Sequence, residues 1–224
     1  MYLFDTHVHT SEVSFCGQVP AEEMVRLYVK AGYSGFVMTD HYNKASMERH
    51  GATTAAERAE TYLKGYRAAK AYADTVGFDV LFGMELALTG SWNEYLIYGL
   101  TEELFCANTE IYDFDMLALR RFADEHDLLI IQAHPYRPGM SRGVPGFLDG
   151  VEAVNGNPRH NSQNHLSRMY ANQHGLLMSS GSDAHQIEDV GMGGLQTEER
   201  ITDLAMLKKV LREGSATLIN HRDE

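Results

Sequence analysis

The feature that most constrains the fold is the alternation of short apolar runs with longer amphipathic segments. The apolar runs predict strands, and the amphipathic segments, several of which begin at Pro, Asp or Thr and end before Gly, predict helices. Strand-then-helix repeats are typical of an α/β fold with a largely parallel sheet. The chain has 224 residues. Roughly seven such units in that length favour a small or distorted barrel, and an open doubly wound sheet is the alternative.

The predicted elements are spread over the whole chain. Strands are predicted at residues 3–5, 35–39, 80–86, 95–98, 128–132, 151–154, 177–180 and 216–219. Helices are predicted at residues 20–31, 53–75, 115–126, 162–174 and 202–213. No linker rich in Ser, Gly or Pro interrupts this order. Residues 1–224 are therefore interpreted as one domain.

Composition excludes several classes of protein. Hydrophobic residues make up 44% of the chain, which is enough to build a core. The net charge is −12, and so acidic a surface disfavours binding to long nucleic acids. The apolar runs are too short to span a membrane. There are two cysteines and no recognisable secretory signal, so we expect a cytoplasmic protein.

Five of the eleven histidines, with three carboxylates, directly follow or end predicted strands. These residues are His7, His9, Asp40, His41, Glu85, His134, Asp183 and His185. In a barrel the C-terminal ends of the strands meet at one face, so we expect one shared pocket. Imidazole and carboxylate ligands suit Zn²⁺, Mn²⁺ or Fe²⁺. Because the set exceeds the ligands of one tetrahedral ion, it predicts two or three ions and metal-assisted hydrolysis.

The order of these motifs resembles that of the PHP (polymerase and histidinol phosphatase) family. The matching segments are DTHVHT at 5–10, TDH at 39–41, Glu85, AHP at 133–135 and SDAH at 182–185. The resemblance spans residues 5–185, and the ordered set is far more specific than any one segment. It implies a distorted (β/α)7 TIM-like barrel with a trinuclear metal site and phosphoesterase activity.

The resemblance also implies a role for each matching residue. The first metal would be held by His7, His9, Glu85 and Asp183, the second by Glu85 and His134, and the third by His41 and His185. Glu85 would bridge the first two ions. Asp40 would orient a ligand rather than bind a metal.

The chain departs from the family pattern in two places. Family members usually have an Asp or His shortly after the HxH pair, and Cys16 falls on that position here, with Glu12 as the alternative. A Cys16 thiolate would be a soft ligand that favours zinc. Many members also have a second-metal histidine after Glu85. This chain has none there, and Glu94 is the candidate replacement.

The substrate is expected to lie near residues 152–160, which follow a strand and resemble the substrate-side segment of the family. Arg137, Arg159, His160 and Asn155 are the predicted substrate-binding residues, and Arg142 and Arg168 are further candidates for a phosphate clamp. Tyr42 and Tyr136 are predicted either to wall the pocket or to pack at the barrel rim. The predicted catalytic residues are His41, Asp183, His185 and His160, and among the histidines the one that protonates the leaving group stays open.

These features together predict a metal-dependent phosphoesterase. A hydroxide bridging the metals would attack a small phosphomonoester, and histidinol phosphate, nucleotides and sugar phosphates are all candidates. The alternatives are a nuclease or oligonucleotide phosphodiesterase, and a catalytically silent metal-binding interaction domain. Neither a P-loop nor a G-x-S-x-G elbow is present, so those two mechanisms are excluded. The sequence leaves the oligomeric state open.

Overall fold

A computed structural model describes residues 1–221, in which ten strands and seven α-helices alternate. The strands are β1 (Tyr2–Val8), β2 (Gly35–Met38), β3 (His41–Tyr42), β4 (Asp79–Ala87), β5 (Glu94–Tyr98), β6 (Leu129–Gln132), β7 (Gly150–Asn155), β8 (Leu177–Gly181), β9 (Gly193–Thr197) and β10 (Thr217–Asn220). The helices are α1 (Ala21–Lys30), α2 (Lys44–Arg49), α3 (Ala55–Val76), α4 (Glu102–Ala107), α5 (Met116–Glu125), α6 (Asn164–His174) and α7 (Leu204–Glu213).

The strands form a single, nearly closed sheet. Its order is β10-β9-β1-β2-β4-β5-β6-β7-β8, and β3 pairs beside the end of β4. The sheet closes where Val8, at the end of β1, forms a parallel bridge to Ala184, which follows β8. The Thr6 hydroxyl also donates to the Ser180 carbonyl of β8 at 2.9 Å. The predicted distorted barrel is therefore confirmed, and the open doubly wound alternative is wrong.

The sheet is more mixed than the sequence predicted. The central pairs β1–β2, β2–β4, β6–β7 and β7–β8 are parallel, but β5 runs antiparallel to both β4 and β6. Strand β9 is also antiparallel to both β1 and β10. A loop of only six residues, 88–93, joins β4 to β5, too short for a helical crossover, so the two strands form a hairpin.

The helices begin and end where side chains satisfy the free backbone groups. A capping box joins Thr54 and Glu57 at the start of α3, and Gly77 ends that helix with φ 68°. The Asp203 side chain caps α7, and Gly214 ends it with φ 60°. These caps keep the helix bounds close to the sequence predictions. The short helices α2 and α4 were not predicted.

Core residues lie on both sides of the sheet. Along β2, Phe36 packs in a cluster with Met24 of α1, whereas Val37 packs in another cluster with Leu207 of α7. This alternation follows from the two-residue period of a strand. Helix α7 therefore packs in the same cluster as Val37. The polar site lies apart from this core, at the C-terminal edge of the parallel strands.

One glycine is required where strand β8 lies against strand β1. A Cβ on Gly181 of β8 would lie 2.4 Å from the Cβ of His7, closer than two carbon atoms can approach. The missing side chain lets β8 lie directly against the strand that carries His7.

Within residues 1–221, no helix combines the length and apolar character needed to cross a membrane. The single-domain interpretation and the cytoplasmic location stay predictions.

Candidate metal centre

One buried carboxylate, that of Glu85 in β4, lies at the centre of a histidine cluster. Glu85 Oε1 lies 3.1 Å from His134 Nε2 and 3.2 Å from His7 Nε2. Its second oxygen, Oε2, lies 2.8 Å from His41 Nδ1 and 3.3 Å from His9 Nε2. Each oxygen thus faces two imidazole nitrogens, an arrangement that suits a carboxylate bridging two cations.

Asp183 and His185, from the loop after β8, complete this cluster. Asp183 Oδ1 lies 3.3 Å from His9 Nε2 and 3.5 Å from His7 Nε2. The His185 ring stacks on that of His9, with 4.1 Å between the ring centres. His185 Nε2 also lies 3.5 Å from His41 Nε2. The structure therefore brings together all seven residues that the motifs assigned to metal ligation.

The polar atoms at the centre of the cluster lack ordinary partners. His7 Nε2, His9 Nε2 and Glu85 Oε2 are buried and make no hydrogen bond of good geometry among residues 1–221, although each lies within 3.3 Å of another atom of the cluster. Such atoms are costly unless something compensates them, and divalent cations would do so. Three groups present ligand atoms within 4.8 Å of one another: His7, His9 and Glu85; His9, His41 and His185; and His41, Glu85 and Glu94. This donor set fits Zn²⁺, Mn²⁺ or Fe²⁺.

Hydrogen bonds behind two histidines assign the tautomer that a metal ligand needs. His7 Nδ1 donates to Glu152 Oε1 at 2.8 Å, which leaves Nε2 as the free lone pair. Ser14 Oγ donates to Asp40 at 2.7 Å, so it accepts from His9 Nδ1, 3.2 Å away. Asp40 thus acts on His9 through Ser14, in agreement with its predicted role as an orienting residue.

A third histidine is oriented by its own loop. His185 Nδ1 donates to the Asp183 carbonyl at 2.9 Å, which assigns the free lone pair to Nε2. The buried Asp189 carboxylate accepts from the His185 backbone N–H at 2.8 Å and so fixes the loop.

The electrostatics of the cluster favour bound positive charge. Burial alone would raise the pKa of Glu85, but His7 and His41 hold that pKa well below its usual value. Burial alone would lower the pKa of His7, but Glu85, Glu152 and Asp183 raise it well above its usual value. The carboxylates and the imidazoles of the cluster therefore favour each other's charged forms. Divalent metals can replace the protons of the charged imidazoles.

Two ligand positions have left-handed backbone. Asp183 has φ 52° and His134 has φ 29°, although neither is glycine. Glu152 accepts from the His134 N–H at 3.0 Å, and Asn157 Nδ2 donates to the Asp183 carbonyl at 2.9 Å. Strained backbone of this kind is kept where neighbouring groups hold it, and it is common at functional sites.

The structure separates the two candidates for the position after the HxH pair. The Glu12 carboxylate accepts from the Ala21 N–H at 3.0 Å and so caps α1, which keeps it out of the cluster. Cys16 lies at the exposed mouth, with its thiol against His185 and His41. Burial raises the pKa of this thiol, but the two histidines outweigh burial and lower the pKa from 9.0 to about 6. Cys16 is therefore the candidate that lies beside the metal-ligand histidines.

Glu94 also lies at the cluster. Its Oε1 is 3.3 Å from His41 Nδ1, and its Oε2 is 3.5 Å from His134 Nε2. Glu94 begins β5, which runs antiparallel to β4, and it pairs with Ala87. The start of β5 therefore lies at the same edge as the end of β4, where the missing histidine would be needed.

A cavity of about 490 Å³ opens over the cluster, and Arg137, Arg159 and His160 line it together with the ligands. Arg137 Nη2 binds Asp183 Oδ2 at 2.5 Å. Arg159 pairs with Asp189. Burial, followed by the charge of Arg137, lowers the pKa of His160. Three of the four predicted substrate residues thus face this cavity.

The fourth predicted substrate residue does not face the cavity. Asn155 is fully buried, and its Nδ2 donates to Glu152 Oε2 at 2.9 Å and to Asp183 Oδ2 at 3.2 Å. Its Oδ1 accepts from Arg137 at 3.0 Å. Asn155 therefore positions the residues around it, because its amide is consumed by these bonds.

The remaining candidates lie outside the cavity. The Arg142 guanidinium lies over the Tyr136 ring, 5.8 Å from its centre, and Arg168 is exposed on α6. Tyr42 is buried in the core, and its hydroxyl donates to the Thr109 carbonyl at 2.5 Å. Tyr136 packs against Tyr170, with 6.2 Å between the ring centres. Of the two readings for the tyrosines, packing is the one observed.

Sequence reasoning missed three supporting residues: Glu152, Ser14 and Asp189. A signal existed for Glu152, since it is a lone carboxylate within the buried strand GVEAVN. Buried carboxylates are rare unless they are paired, so this position invited a role beside a histidine. Ser14 and Asp189 lie in loops and carry no comparable signal.

Comparisons with known proteins agree with this geometry. Residues 161–216, which contain Asp183 and His185, match the family model for PHP-associated sequences. A search of curated proteins gives no match. A two-domain protein from Bacteroides vulgatus, named as containing a PHP-like metal-dependent phosphoesterase, superposes with a TM-score of 0.70 at 16% identity. That match covers 98% of this chain and 65% of the other, so the chain spans just under two thirds of that protein.

This chain has the same overall fold as that PHP-like protein. The resemblance to the PHP family that the motifs indicated is confirmed. PsfC from Pseudomonas syringae has a TM-score of 0.67 at 16% identity, with coverage of 97% of this chain and 90% of that one. A Bifidobacterium adolescentis protein whose name describes a metal-dependent phosphoesterase has a TM-score of 0.56 at 17% identity, covering 93% and 95%. Likeness at this level of identity establishes the PHP fold, and the chemistry is argued from the residues.

Proposed function

We propose that this chain is a metal-dependent phosphoesterase that hydrolyses a small phosphomonoester at a centre of two or three divalent ions. The observation that carries the proposal is the convergence on Glu85 of buried imidazole nitrogens, several of which make no hydrogen bond of good geometry within residues 1–221. A protein that used these groups only for packing would pair them or replace them with apolar side chains.

The proposed ligands combine the roles that the PHP resemblance implies with the positions of Glu94 and Cys16 beside the cluster. The first ion would be held by His7, His9, Glu85 and Asp183, the second by Glu85, His134 and Glu94, and the third by His41, His185 and Cys16. When bound, the ions would supply positive charge for the phosphate oxygens and the Lewis acidity that makes water nucleophilic near neutral pH. A thiolate at Cys16 would favour zinc at the third position.

The protein's own cations support a phosphate in the cavity. Arg137 and Arg159 bring guanidinium groups to its wall, and guanidinium matches phosphate oxygens in a bidentate way. Each arginine is already paired, Arg137 with Asp183 and Arg159 with Asp189. These carboxylates hold the guanidinium groups in place and leave their other nitrogens to bind substrate. We propose that His160, which lines the cavity without serving as a proposed ligand, donates a hydrogen bond from its neutral ring to the leaving oxygen, because its lowered pKa disfavours the protonated form.

The shape and charge of the site favour a small substrate. The cavity over the cluster measures about 490 Å³, enough for a phosphomonoester. The net charge of −12 would repel a long polyanion, whereas two or three divalent ions would attract one phosphate locally. A nuclease is therefore the less favoured alternative.

The proposal is tested by loading the protein separately with Zn²⁺, Mn²⁺ and Fe²⁺ and measuring bound metal and turnover of p-nitrophenyl phosphate. We expect at least two ions per chain and a turnover that Asp183→Ala abolishes. Asp183→Asn keeps the shape of the side chain and serves as the second variant if the alanine variant does not fold. Less than one ion per chain after reconstitution would refute the multinuclear site. A loaded protein that hydrolyses no phosphoester would identify the silent metal-binding alternative.

A further inference from the structure

The chain's only tryptophan lies two residues before Glu94 and is almost fully exposed. Trp92 belongs to the short loop between β4 and β5, and 85% of its surface is accessible. Exposed indole rings are common where a protein binds a ligand, because the ring offers a large rigid face and a polar edge. The loop that carries Trp92 leads directly into Glu94, one of the proposed metal ligands.

Trp92 lines a second cavity, of about 450 Å³. Its apolar wall includes Leu88, Ala45 and Ala87. Glu94 lines this cavity and also the cavity over the metal cluster. The two cavities therefore share Glu94 as a lining residue.

The polar groups around the second cavity are mostly occupied by the protein itself. The Thr89 hydroxyl donates to Asp113 at 2.7 Å, and Ser91 Oγ accepts from the Asn93 N–H at 3.0 Å. The Asn43 side chain accepts from the Ser46 N–H at 2.8 Å and so caps α2. A wall of this kind recognises shape and stacking rather than a pattern of hydrogen bonds.

The charges around this cavity disfavour a second anionic group. Glu48 and Glu94 line it, and the cation there, Lys44, lies 3.5 Å from the Asp113 carboxylate. A neutral ring fits this balance, whereas a diphosphate or a nucleic-acid strand would meet uncompensated negative charge.

We propose that Trp92 is the stacking platform for the leaving group of the substrate and that this leaving group is a neutral aromatic ring. The inference rests on the proposed phosphoesterase function and narrows its substrate class to aromatic phosphomonoesters. Because stacking tolerates many rings, different aromatic esters should be accepted with similar KM values.

The first test compares phenyl phosphate with glycerol 2-phosphate on the zinc-loaded protein. Stacking of one ring on an aromatic side chain contributes about 1–3 kcal/mol, so Trp92→Ala should raise KM for phenyl phosphate by about tenfold. The same variant should leave KM for glycerol 2-phosphate within about twofold. Trp92→Phe keeps an aromatic face and should recover most of the loss. An equal effect of Trp92→Ala on both esters would refute the stacking platform.

The second test uses the fact that Trp92 is the only tryptophan, so the tryptophan fluorescence of the protein reports on this ring alone. Phenylphosphonate and methylphosphonate both carry the group that would bind the metals, but only the first carries a ring. Phenylphosphonate should shift or quench the emission of the zinc-loaded protein, and methylphosphonate at the same saturation should leave it nearly unchanged.

The outcomes separate this inference from the proposed function. If both phosphonates bind and both esters are hydrolysed, but Trp92→Ala affects them equally and the emission does not respond, the stacking platform is wrong and the phosphoesterase stands. If neither phosphonate binds and neither ester is hydrolysed, both the proposed function and the stacking platform are wrong.

Discussion

Glu152→Gln tests whether a carboxylate outside the cluster controls metal binding through His7. Glu152 Oε1 accepts from His7 Nδ1 at 2.8 Å, and Oε2 accepts from the His134 N–H and from Asn155 Nδ2 at 3.0 and 2.9 Å. All three partners are donors to Glu152. A glutamine side chain has one accepting oxygen and one donating NH₂ group. Its NH₂ group must therefore face at least one of these donors, with which it cannot form a hydrogen bond.

Either orientation of the amide harms the site. If the NH₂ group faces His7, the ring must move its proton to Nε2, which removes the lone pair that would bind metal. If the NH₂ group faces away from His7, it lies against the His134 N–H and the Asn155 NH₂ group. Both of these groups are donors, so two hydrogen bonds are lost. Loss of such a supporting carboxylate typically lowers metal affinity by 10–100-fold, which corresponds to about 1.4–2.8 kcal/mol.

The assay is a competition titration in which zinc is shared between the protein and a chromophoric chelator. We expect Glu152→Gln to bind the most tightly held ion at least tenfold more weakly, while far-UV circular dichroism shows a folded protein. The matched control is Glu57→Gln, which changes an exposed carboxylate at the start of α3 and should leave the affinity unchanged. A folded Glu152→Gln protein with zinc affinity within twofold of the original would refute the orienting role of Glu152.

Further predictions concern packing, the third metal position, metal removal and pH. Gly181→Ala should lower the free energy of unfolding in urea by about 1–3 kcal/mol, because the added Cβ would meet His7. The control Gly146→Ala, whose Cβ would meet no atom within 4 Å, should change the stability little, and equal stabilities of the two variants would contradict the close approach at Gly181. Cys16→Ser should remove the sulfur-to-metal charge-transfer absorption of the cobalt-loaded protein, and an unchanged spectrum would exclude the thiolate as a ligand. A chelator should lower the Tm of the metal-loaded protein and added zinc should restore that Tm, because ions that bind the native state stabilise it. A Tm that changes with neither the chelator nor zinc would argue against metal binding by the native state. Metal affinity should fall as the pH decreases from about 8 to about 6, because protons compete with the metal for imidazole and thiolate. Calorimetry should detect proton release when metal binds. A metal affinity that does not change with pH would contradict ligation by these groups.

Local sequence patterns were sufficient for most elements and for the clustering of the candidate site residues. Helix α3 was predicted over 53–75 and lies at Ala55–Val76, because a capping box and a glycine fix its ends. The seven metal-ligand candidates were predicted correctly as a cluster, since residues at the C-terminal ends of parallel strands must share one edge. Strand β9 was missed because its sequence, GGLQT, has weak strand propensity and is held by pairing with β1 and β10.

The choice between Cys16 and Glu12 required the tertiary structure. Both residues lie in the same loop, and the sequence spacing allowed either to reach the third position. The N-terminus of α1 folds back on this loop and takes the Glu12 carboxylate as its cap, while the thiol of Cys16 is left beside His41 and His185. No local pattern encodes that arrangement, because it depends on how α1 packs.

The sequence by itself determined that this is an α/β chain with a histidine- and carboxylate-rich edge, because side-chain period and strand-end placement are local properties. Only the tertiary structure decided that β5 runs antiparallel, which brings Glu94 to the metal edge, and that Glu152 lies behind His7. These contacts join residues far apart in the chain, such as His7 and Glu152. They arise from barrel closure, which a local reading of the chain does not reach.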